Sequence, residues 1–204
     1  MRSPILLSVL IVFLLSASFK SYGQCGCDHT INPGGFGITF DGNARGVQPG
    51  DVICINTGFR EKITFRNIRG TANNPVIVKN CGGLVEIGGS NVGNAMIFSA
   101  SRYFKVTGTG DPSVEYGIKI IGSRTGSQGL LCVNKSSDME IENMEITAAG
   151  FAGIMIKDDP KCSDRSFERP AFTMYNVSIH DNYIHDINGE GIYLGNSFYR
   201  GTRV

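Results

Sequence analysis

Six short segments of the chain share one pattern of apolar and polar positions. Each begins with a small or turn residue, continues with three apolar residues and one variable residue, and usually ends in Asn or Asp. The segments are residues 51–57, 75–81, 95–101, 129–135, 153–159 and 191–197. Successive segments start 20 to 24 residues from one another, except for two longer intervals of 34 and 38 residues. Such short apolar runs, interrupted by Gly, predict strands, and a period of this size predicts a solenoid.

A second kind of segment predicts further strands within each repeat. Residues 63–68, 139–146 and 177–184 each contain two alternating apolar positions, an Asn, and a return to apolar character. The Asn residues are Asn67, Asn143 and Asn182. Because Asn tolerates left-handed backbone angles and bonds to neighbouring backbone groups, we expect a bend at each, stacked in one internal ladder. Three short strands per repeat predict a parallel β-helix.

The repeats also predict which side chains point inward. If equivalent positions stack, two inward rows follow, namely Val52, Val76, Met96, Leu130, Ile154 and Ile192, and Cys54, Val78, Phe98, Cys132, Ile156 and Leu194. The positions between these rows then point outward and form an apolar stripe of Ile53, Ile77, Ile97, Leu131, Met155 and Tyr193. A contiguous apolar stripe usually meets a partner. The candidates are the chain's own loop 158–172, a further domain or a subunit.

Composition and charge narrow the class of protein. The 204 residues are 41% hydrophobic and 18% charged, which is typical of a globular protein. The formal net charge of +1 gives no bulk electrostatic reason to expect nucleic acid or a membrane surface as a partner. The 27 Gly residues fit a fold with many tight turns.

The start of the chain predicts export. Arg2 is followed by an apolar run at 5–15, and Ser21 and Gly23 are small residues suited to signal-peptide cleavage. The alternative, a membrane anchor, needs an apolar run of about 20 residues. We therefore predict a signal peptide at 1–23, no membrane span after cleavage, and a secreted, periplasmic or cell-surface protein. Residues 24–50 are predicted to cap the repeats of 51–204.

Six Cys residues in an exported chain permit disulfides. Cys54 and Cys132 occupy the same place in the repeat, so both are predicted to be core thiols. The remaining Cys25, Cys27, Cys81 and Cys162 are the candidate disulfide partners, and the sequence leaves their pairing open.

Several runs carry a family resemblance. Pro-Gly-Asp-Val-Ile-Cys-Ile-Asn-Thr-Gly-Phe-Arg-Glu at 49–61, Ile-Thr-Phe-Arg-Asn-Ile at 63–68 and Gly-Thr-Ala-Asn-Asn-Pro-Val-Ile-Val-Lys-Asn at 70–80 resemble the opening coils of secreted, pectate-lyase-like parallel β-helix proteins. They are similar to the polysaccharide lyases related to alginate lyase and chondroitinase B. Asn-Tyr-Ile-His-Asp-Ile-Asn-Gly-Glu-Gly-Ile-Tyr-Leu at 182–194 resembles the repeat of that superfamily. The likeness covers about residues 49–197.

The resemblance implies an all-β fold, a right-handed single-stranded parallel β-helix of about six coils with an N-terminal cap. It implies a protein that acts on or binds an acidic polysaccharide and, if it is an enzyme, a polysaccharide lyase. The alternative is a non-catalytic surface or adhesion module of the same fold. Superfamily enzymes are usually longer, and 198–204 leads away from the last repeat without a cap. We therefore expect the N-terminal portion of a longer protein.

The charged insertion at 158–172 supplies one group of candidate site residues. Lys157 is a candidate catalytic residue, and Asp159 and Arg165 are candidate substrate contacts. Asp158 and Asp159 are candidate ligands for calcium, which prefers oxygen donors. Asp158 also fills the place that Asn takes in other repeats, so turn formation alone would explain it.

A second group is denser in titratable side chains. His180, Asp181, His185, Asp186 and Glu190 lie close together in sequence, and alternation turns both His outward. His180 and His185 are candidate acid–base or metal-binding residues, and Glu190 is a candidate substrate contact. The spacing is not that of a zinc site. No Lys or Arg matches the catalytic residues of the resembling lyases, so the sequence leaves enzymatic activity open.

Overall fold

The computed structural model describes residues 25–160 and 163–195. The predicted signal peptide, Cys162 and residues 196–204 lie outside this part of the chain. The described residues are nearly all-β, as the sequence predicts. The strands are β1 (His29–Ile31), β2 (Ile38–Asp41), β3 (Val52–Arg60), β4 (Ile63–Arg66), β5 (Val76–Ile87), β6 (Met96–Ser99), β7 (Arg102–Thr107), β8 (Ile118–Ile120), β9 (Leu130–Val133), β10 (Ser137–Glu142), β11 (Met144–Thr147), β12 (Ala152–Ile156), β13 (Val177–His180), β14 (Tyr183–His185) and β15 (Glu190–Leu194).

Helices are short in the described chain. A single α-helix, α1 (Gly42–Arg45), follows β2, and a 3-10 turn covers Arg165–Phe167. The Asp41 carboxylate caps α1 by accepting the backbone N–H groups of Asn43 and Ala44. Neither helix is long and apolar enough to cross a membrane.

The strands form two parallel sheets. One sheet has six strands in the order β15-β12-β9-β6-β4-β2. The other has nine and divides at β5, because residues 76–79 of β5 pair with β7 while residues 85–87 pair with β8. We call β7, β10 and β13 the first arm of this sheet and β8, β11 and β14 the second arm. Each repeat from β7 onward gives one strand to each arm and one to the six-stranded sheet.

Matching side chains from successive strands build the core. In the six-stranded sheet, one inward row is Ile38, Ile63, Met96, Leu130 and Ile154, and another is Phe40, Phe65, Phe98, Cys132 and Ile156. Ile192 and Leu194 of β15 pair in the same two rows but are exposed. The Phe65 and Phe98 rings stack with centroids 4.7 Å apart, and Phe98 stacks on Phe104 at 4.4 Å. The sheets are therefore joined through aromatic contacts as well as aliphatic packing.

From Met96 onward the predicted rows pair as expected, although Ile192 and Leu194 in β15 are 45% and 58% exposed. Val76 and Val78 also point into the core, but they lie in the nine-stranded sheet and do not stack in these rows. Val52 and Val76 belong to β3 and β5 of the nine-stranded sheet, and Val52 pairs with Ile77 rather than with Val76. Ile38 and Ile63 occupy their places in the six-stranded sheet. The error has a physical reason. Strands of both sheets carry the same short apolar run, so the pattern identifies a strand without identifying its sheet.

The predicted outward stripe is correspondingly shorter. Ile53 is fully buried and pairs with Val78, so it belongs to the core, and Ile77 lies in the nine-stranded sheet. The remaining residues pair in one row, Ile97, Leu131, Met155 and Tyr193. Within that row Leu131 and Met155 are each only 8% exposed. The row is thus a small second apolar cluster, together with Ala152, Val133 and Phe151.

The bends also differ in part from expectation. Asn67 and Asn143 have left-handed φ values of 54° and 52°, as predicted. Asn182 does not, because Asp181, with a φ of 52°, takes the place equivalent to Asn143. The Asn182 side chain instead donates to the Ile141 carbonyl at 2.8 Å. Asn67 follows a strand of the six-stranded sheet and Asn143 follows one of the nine-stranded sheet, so they do not form one ladder.

Two disulfides fasten the first described residues to the sheet. Cys25 is bonded to Cys81 and Cys27 to Cys54, so the prediction that Cys54 is a free core thiol is wrong. β3 pairs with β1, which places Cys54 beside the segment that carries Cys27. Cys132 is a buried free thiol, as predicted, and burial raises its pKa well above the usual range.

A buried cation lies near the same end of the core. Arg60 is fully buried, and its guanidinium donates to the backbone carbonyls of Gly58 (2.7 Å), Ile31 (3.1 Å) and Asn56. Burial lowers the pKa of Arg60 to about 10. The side chain therefore serves as a hydrogen-bond donor to the first repeats.

Candidate functional site

The first cluster of titratable side chains lies on the outer side of the first arm. Inward positions such as Phe104, Ile141 and Ile179 alternate there with outward ones. The Lys105 Nζ atom lies 2.9 Å from Glu140 Oε1 and 2.8 Å from Glu142 Oε1.

His180 completes this cluster from β13. Its Nε2 atom lies 3.2 Å from Glu140 Oε1 and 3.6 Å from Glu142 Oε2. Its Nδ1 atom lies 2.8 Å from Asp181 Oδ2. Three neighbouring strands thus contribute to one network, since strand pairing puts Glu142 directly beside His180.

The second arm repeats the arrangement. The Lys119 Nζ atom of β8 lies 2.6 Å from Glu145 Oε1 of β11. The His185 Nε2 atom of β14 lies 3.3 Å from the same Glu145 oxygen, and its Nδ1 atom lies 2.7 Å from Asp186 Oδ2. Each arm therefore presents a Lys–Glu–His–Asp set, and we call these the first and second charged sets.

Local backbone geometry turns each Asp back toward its own His. Asp181 and Asp186 have φ values of 52° and 51°, in the left-handed region that Asp tolerates better than most residues. Both are bends that follow a strand, so the sequence His-Asp at a strand end generates each pair. The His side chains are held on both nitrogens.

These contacts shift the ionisation of the site. Hydrogen bonds to Asp181 and Glu140 raise the pKa of His180. The bond to Asp186 raises the pKa of His185, with a smaller contribution from Glu145. Hydrogen bonds from Lys105 and His180 lower the pKa of Glu140. Both imidazoles therefore favour the protonated state, in which each nitrogen donates to a carboxylate.

The first charged set is also a group that could ligate a metal. The ligating atoms of Glu140, Glu142 and His180 all lie within 4.8 Å of one another. Lys105 already bonds to both glutamates, so a metal ion there would have to displace its ammonium group. The described chain has one other close group of this kind, Cys25, Cys27 and Cys81, whose sulfur atoms are in disulfides.

Asp158, a predicted calcium ligand, has a structural role in the turn after β9. Its Oδ1 atom accepts the backbone N–H of Asn134 at 2.7 Å, and its Oδ2 atom accepts that of Lys135 at 2.6 Å. Asn134 and Lys135 both have left-handed φ values, 55° and 64°. The turn explanation for Asp158 therefore fits the geometry, since both carboxylate oxygens hold backbone donors.

The other predicted site residues lie apart from the two His. Lys157 pairs with Asp159 at 3.2 Å just after β12, and its ammonium lies 5.4 Å from the centre of the Tyr193 ring. Arg165 pairs with Glu168 in the insertion. Glu190 is exposed at the start of β15. These residues belong to the six-stranded sheet or its loops, whereas His180 and His185 belong to the nine-stranded sheet.

Sequence reasoning missed the partners of the two His. The run Glu140-Ile-Glu142 does show outward carboxylates alternating with core residues, which is a signal that the sequence offers. Lys105 and Lys119 show the same alternation, since each lies between two core residues, but the sequence does not reveal which strands they neighbour. Their place beside the glutamates depends on strand register across the insertion at 107–117, which the repeat length does not reveal.

Comparison with known proteins finds no relative. The chain matches no protein-family model, and no curated protein and no solved structure is detectably similar to it.

Proposed function

We propose that this chain is an exported right-handed parallel β-helix protein that acts on or binds an acidic polysaccharide along the two arms of the nine-stranded sheet. Support for the β-helix comes from the pairing, because every strand pairs in parallel with strands about one repeat away. Residues 24–50 serve as its cap.

Export is supported by the disulfides. Cys25–Cys81 and Cys27–Cys54 need an oxidising compartment to persist, which agrees with a signal peptide at 1–23. The location is then the periplasm, the cell surface or the medium.

The observation that carries the function is the pair of charged sets on rigid neighbouring strands. Elimination from a uronate needs a base for the proton next to the carboxylate, a cation near that carboxylate, and an acid for the leaving oxygen. Each set holds a lysine, a glutamate and a histidine, and in the first set His180, whose pKa is raised, suits the acid role. If calcium takes part, Glu140 and Glu142 would supply oxygen ligands.

The second candidate is a non-catalytic surface or adhesion module of the same fold. It is favoured by the pairing of Lys105 and Lys119 with glutamates, which leaves less positive charge for a substrate carboxylate. A β-helix face that binds a polysaccharide needs no acid or base.

One experiment separates these functions. The full chain is incubated with alginate, pectin and glycosaminoglycans, and the unsaturated product is followed by its ultraviolet absorbance, with binding measured on the same polymers. A lyase gives product that the double variant H180Q/H185Q loses. An adhesion module binds without product. A chain that neither binds nor cleaves any of the polymers refutes both candidates.

A further inference from the structure

Three aromatic rings meet beside the second charged set. The Tyr183 ring stacks on the His185 ring with centroids 4.2 Å apart and planes 20° apart. The Tyr116 ring lies 6.0 Å from Tyr183 at an angle of 35°. Tyr183 is 50% exposed although it lies within a strand. The three rings form one aromatic surface on the outer side of the second arm.

The strand fixes two of these rings. Tyr183 and His185 flank Ile184, which packs against the core, so alternation turns both rings outward. β14 pairs with β11 along its whole length, with Tyr183 beside Glu145. Because the rings stand on a paired strand, little conformational entropy is lost when a ligand contacts them.

The insertion at 107–117 fixes the third ring. Gly110 donates its backbone N–H to Asn80 Oδ1 at 2.8 Å, and Gly117 donates to the Gly108 carbonyl at 3.0 Å. The packing is close enough that a Cβ atom on Gly110 would lie 1.8 Å from the Asn80 carbonyl oxygen. The insertion is thus anchored to the β5 bend immediately before the chain presents Tyr116.

The charges around the rings select the kind of ligand. Lys119 and His185 are both paired with carboxylates, so neither is an uncommitted cation for an acidic group. The Asp186 side chain is 83% exposed and accepts hydrogen bonds from hydroxyl donors. A ligand with C–H groups on one face and hydroxyls at its edge fits against the rings, where the exposed Asp186 carboxylate disfavours a carboxylate or sulfate.

We propose that Tyr116, Tyr183 and His185 form a subsite that stacks an uncharged sugar ring, a hexose or an N-acetylhexosamine. The axial C–H groups of the ring lie against the Tyr183 face, and its hydroxyls donate to Asp186. This inference rests on the proposed polysaccharide function and specifies the sugar class at one position of that site.

The test is a binding titration of the full chain with cellohexaose, N-acetylchitohexaose and hexagalacturonate, followed by tyrosine fluorescence, which the absence of Trp makes accessible. We expect at least one neutral hexamer to bind, Tyr183→Ala to weaken that binding about tenfold, and Tyr183→Phe to retain it. Tyr175→Ala is the matched control, because Tyr175 is 61% exposed and lies outside the three-ring surface. Circular dichroism checks that each variant folds.

Failure of the subsite and failure of the proposed polysaccharide function give different results. Binding of hexagalacturonate alone, or unchanged affinity of Tyr183→Ala for a neutral hexamer, overturns the subsite and leaves the polysaccharide proposal standing. If none of the three hexamers binds and the polymers of the preceding experiment do not bind either, the subsite and the proposed function both fail.

Discussion

The Nδ1 atom of His180 lies 2.8 Å from Asp181 Oδ2, and this contact between adjacent residues is repeated by His185 and Asp186. On its other side each imidazole meets a glutamate from the preceding repeat, Glu140 or Glu145. An imidazole can donate to both neighbours only when it is protonated. The last described repeat is therefore joined to the one before it by bonds that depend on pH.

The first prediction concerns that pH dependence. Both His pKa values are raised in the folded state, so their contribution to stability is complete below the unfolded value of about 6.5 and is lost as pH rises through the folded values. We expect the melting temperature to fall as pH rises from about 6 to about 8. The variant H180Q/H185Q should show a flatter profile over that range. Equal slopes for variant and wild type would refute this linkage.

The second prediction concerns Asp158. Replacement by Ala leaves the N–H groups of Asn134 and Lys135 without their carboxylate partner, and we expect a loss of about 2 to 3 kcal/mol in the free energy of unfolding. Asp159→Ala is the control, since it removes a half-exposed ion pair with Lys157 and should cost less than about 1 kcal/mol. Denaturant unfolding measures both. A larger loss for Asp159→Ala would contradict the turn role of Asp158.

The third prediction concerns the disulfides, which close loops with sequence separations of 56 and 27 residues. Chain-entropy arguments give about 3 to 4 kcal/mol for each. We expect C27S/C54S to lose about that much stability in guanidinium unfolding. Cys132→Ala should cost about 1 kcal/mol, because it removes only a small buried thiol. Similar losses for the two variants would show that the covalent link contributes little.

The fourth prediction concerns Gly110. A methyl group there would meet the Asn80 carbonyl oxygen at 1.8 Å, so Gly110→Ala must displace the insertion from β5. We expect a loss of about 2 kcal/mol or more, together with weaker glycan binding because Tyr116 moves. Gly93→Ala is the control, since a Cβ atom at Gly93 has no neighbour within 4 Å. Unfolding and binding curves that do not differ between the two variants would contradict this anchoring.

Much of the fold follows from local patterns, and the errors have a common origin. Alternation correctly identifies the strands and the inward side chains from Met96 onward. It places Val52 and Val76 in the wrong sheet, because a strand's sheet depends on which distant strand it pairs with, and repeats of unequal length hide that register. The local pattern therefore predicts which face of a strand points inward more reliably than it predicts which strands pair with it.

In the candidate site too, local pattern predicts which side chains point outward, whereas their neighbours depend on the pairing of distant strands. His180 and His185 are recognisable in sequence as outward titratable residues, and the structure places them on adjacent arms. Lys105 is 35 residues away from Glu140 in sequence, and only strand pairing brings them together. Lys157 and Asp159, prominent in sequence, follow β12 of the six-stranded sheet and pair with each other.

The disulfides make the first strands of the described stack different from the later ones. They join the segment before β1 to β3 and β5, so heat or a pulling force cannot separate those layers without breaking a covalent bond. Between β5 and β15, the described strands are held by noncovalent contacts alone. When the described strands after β5 separate, the Cys-linked layers therefore stay joined and remain as a template on which those strands refold.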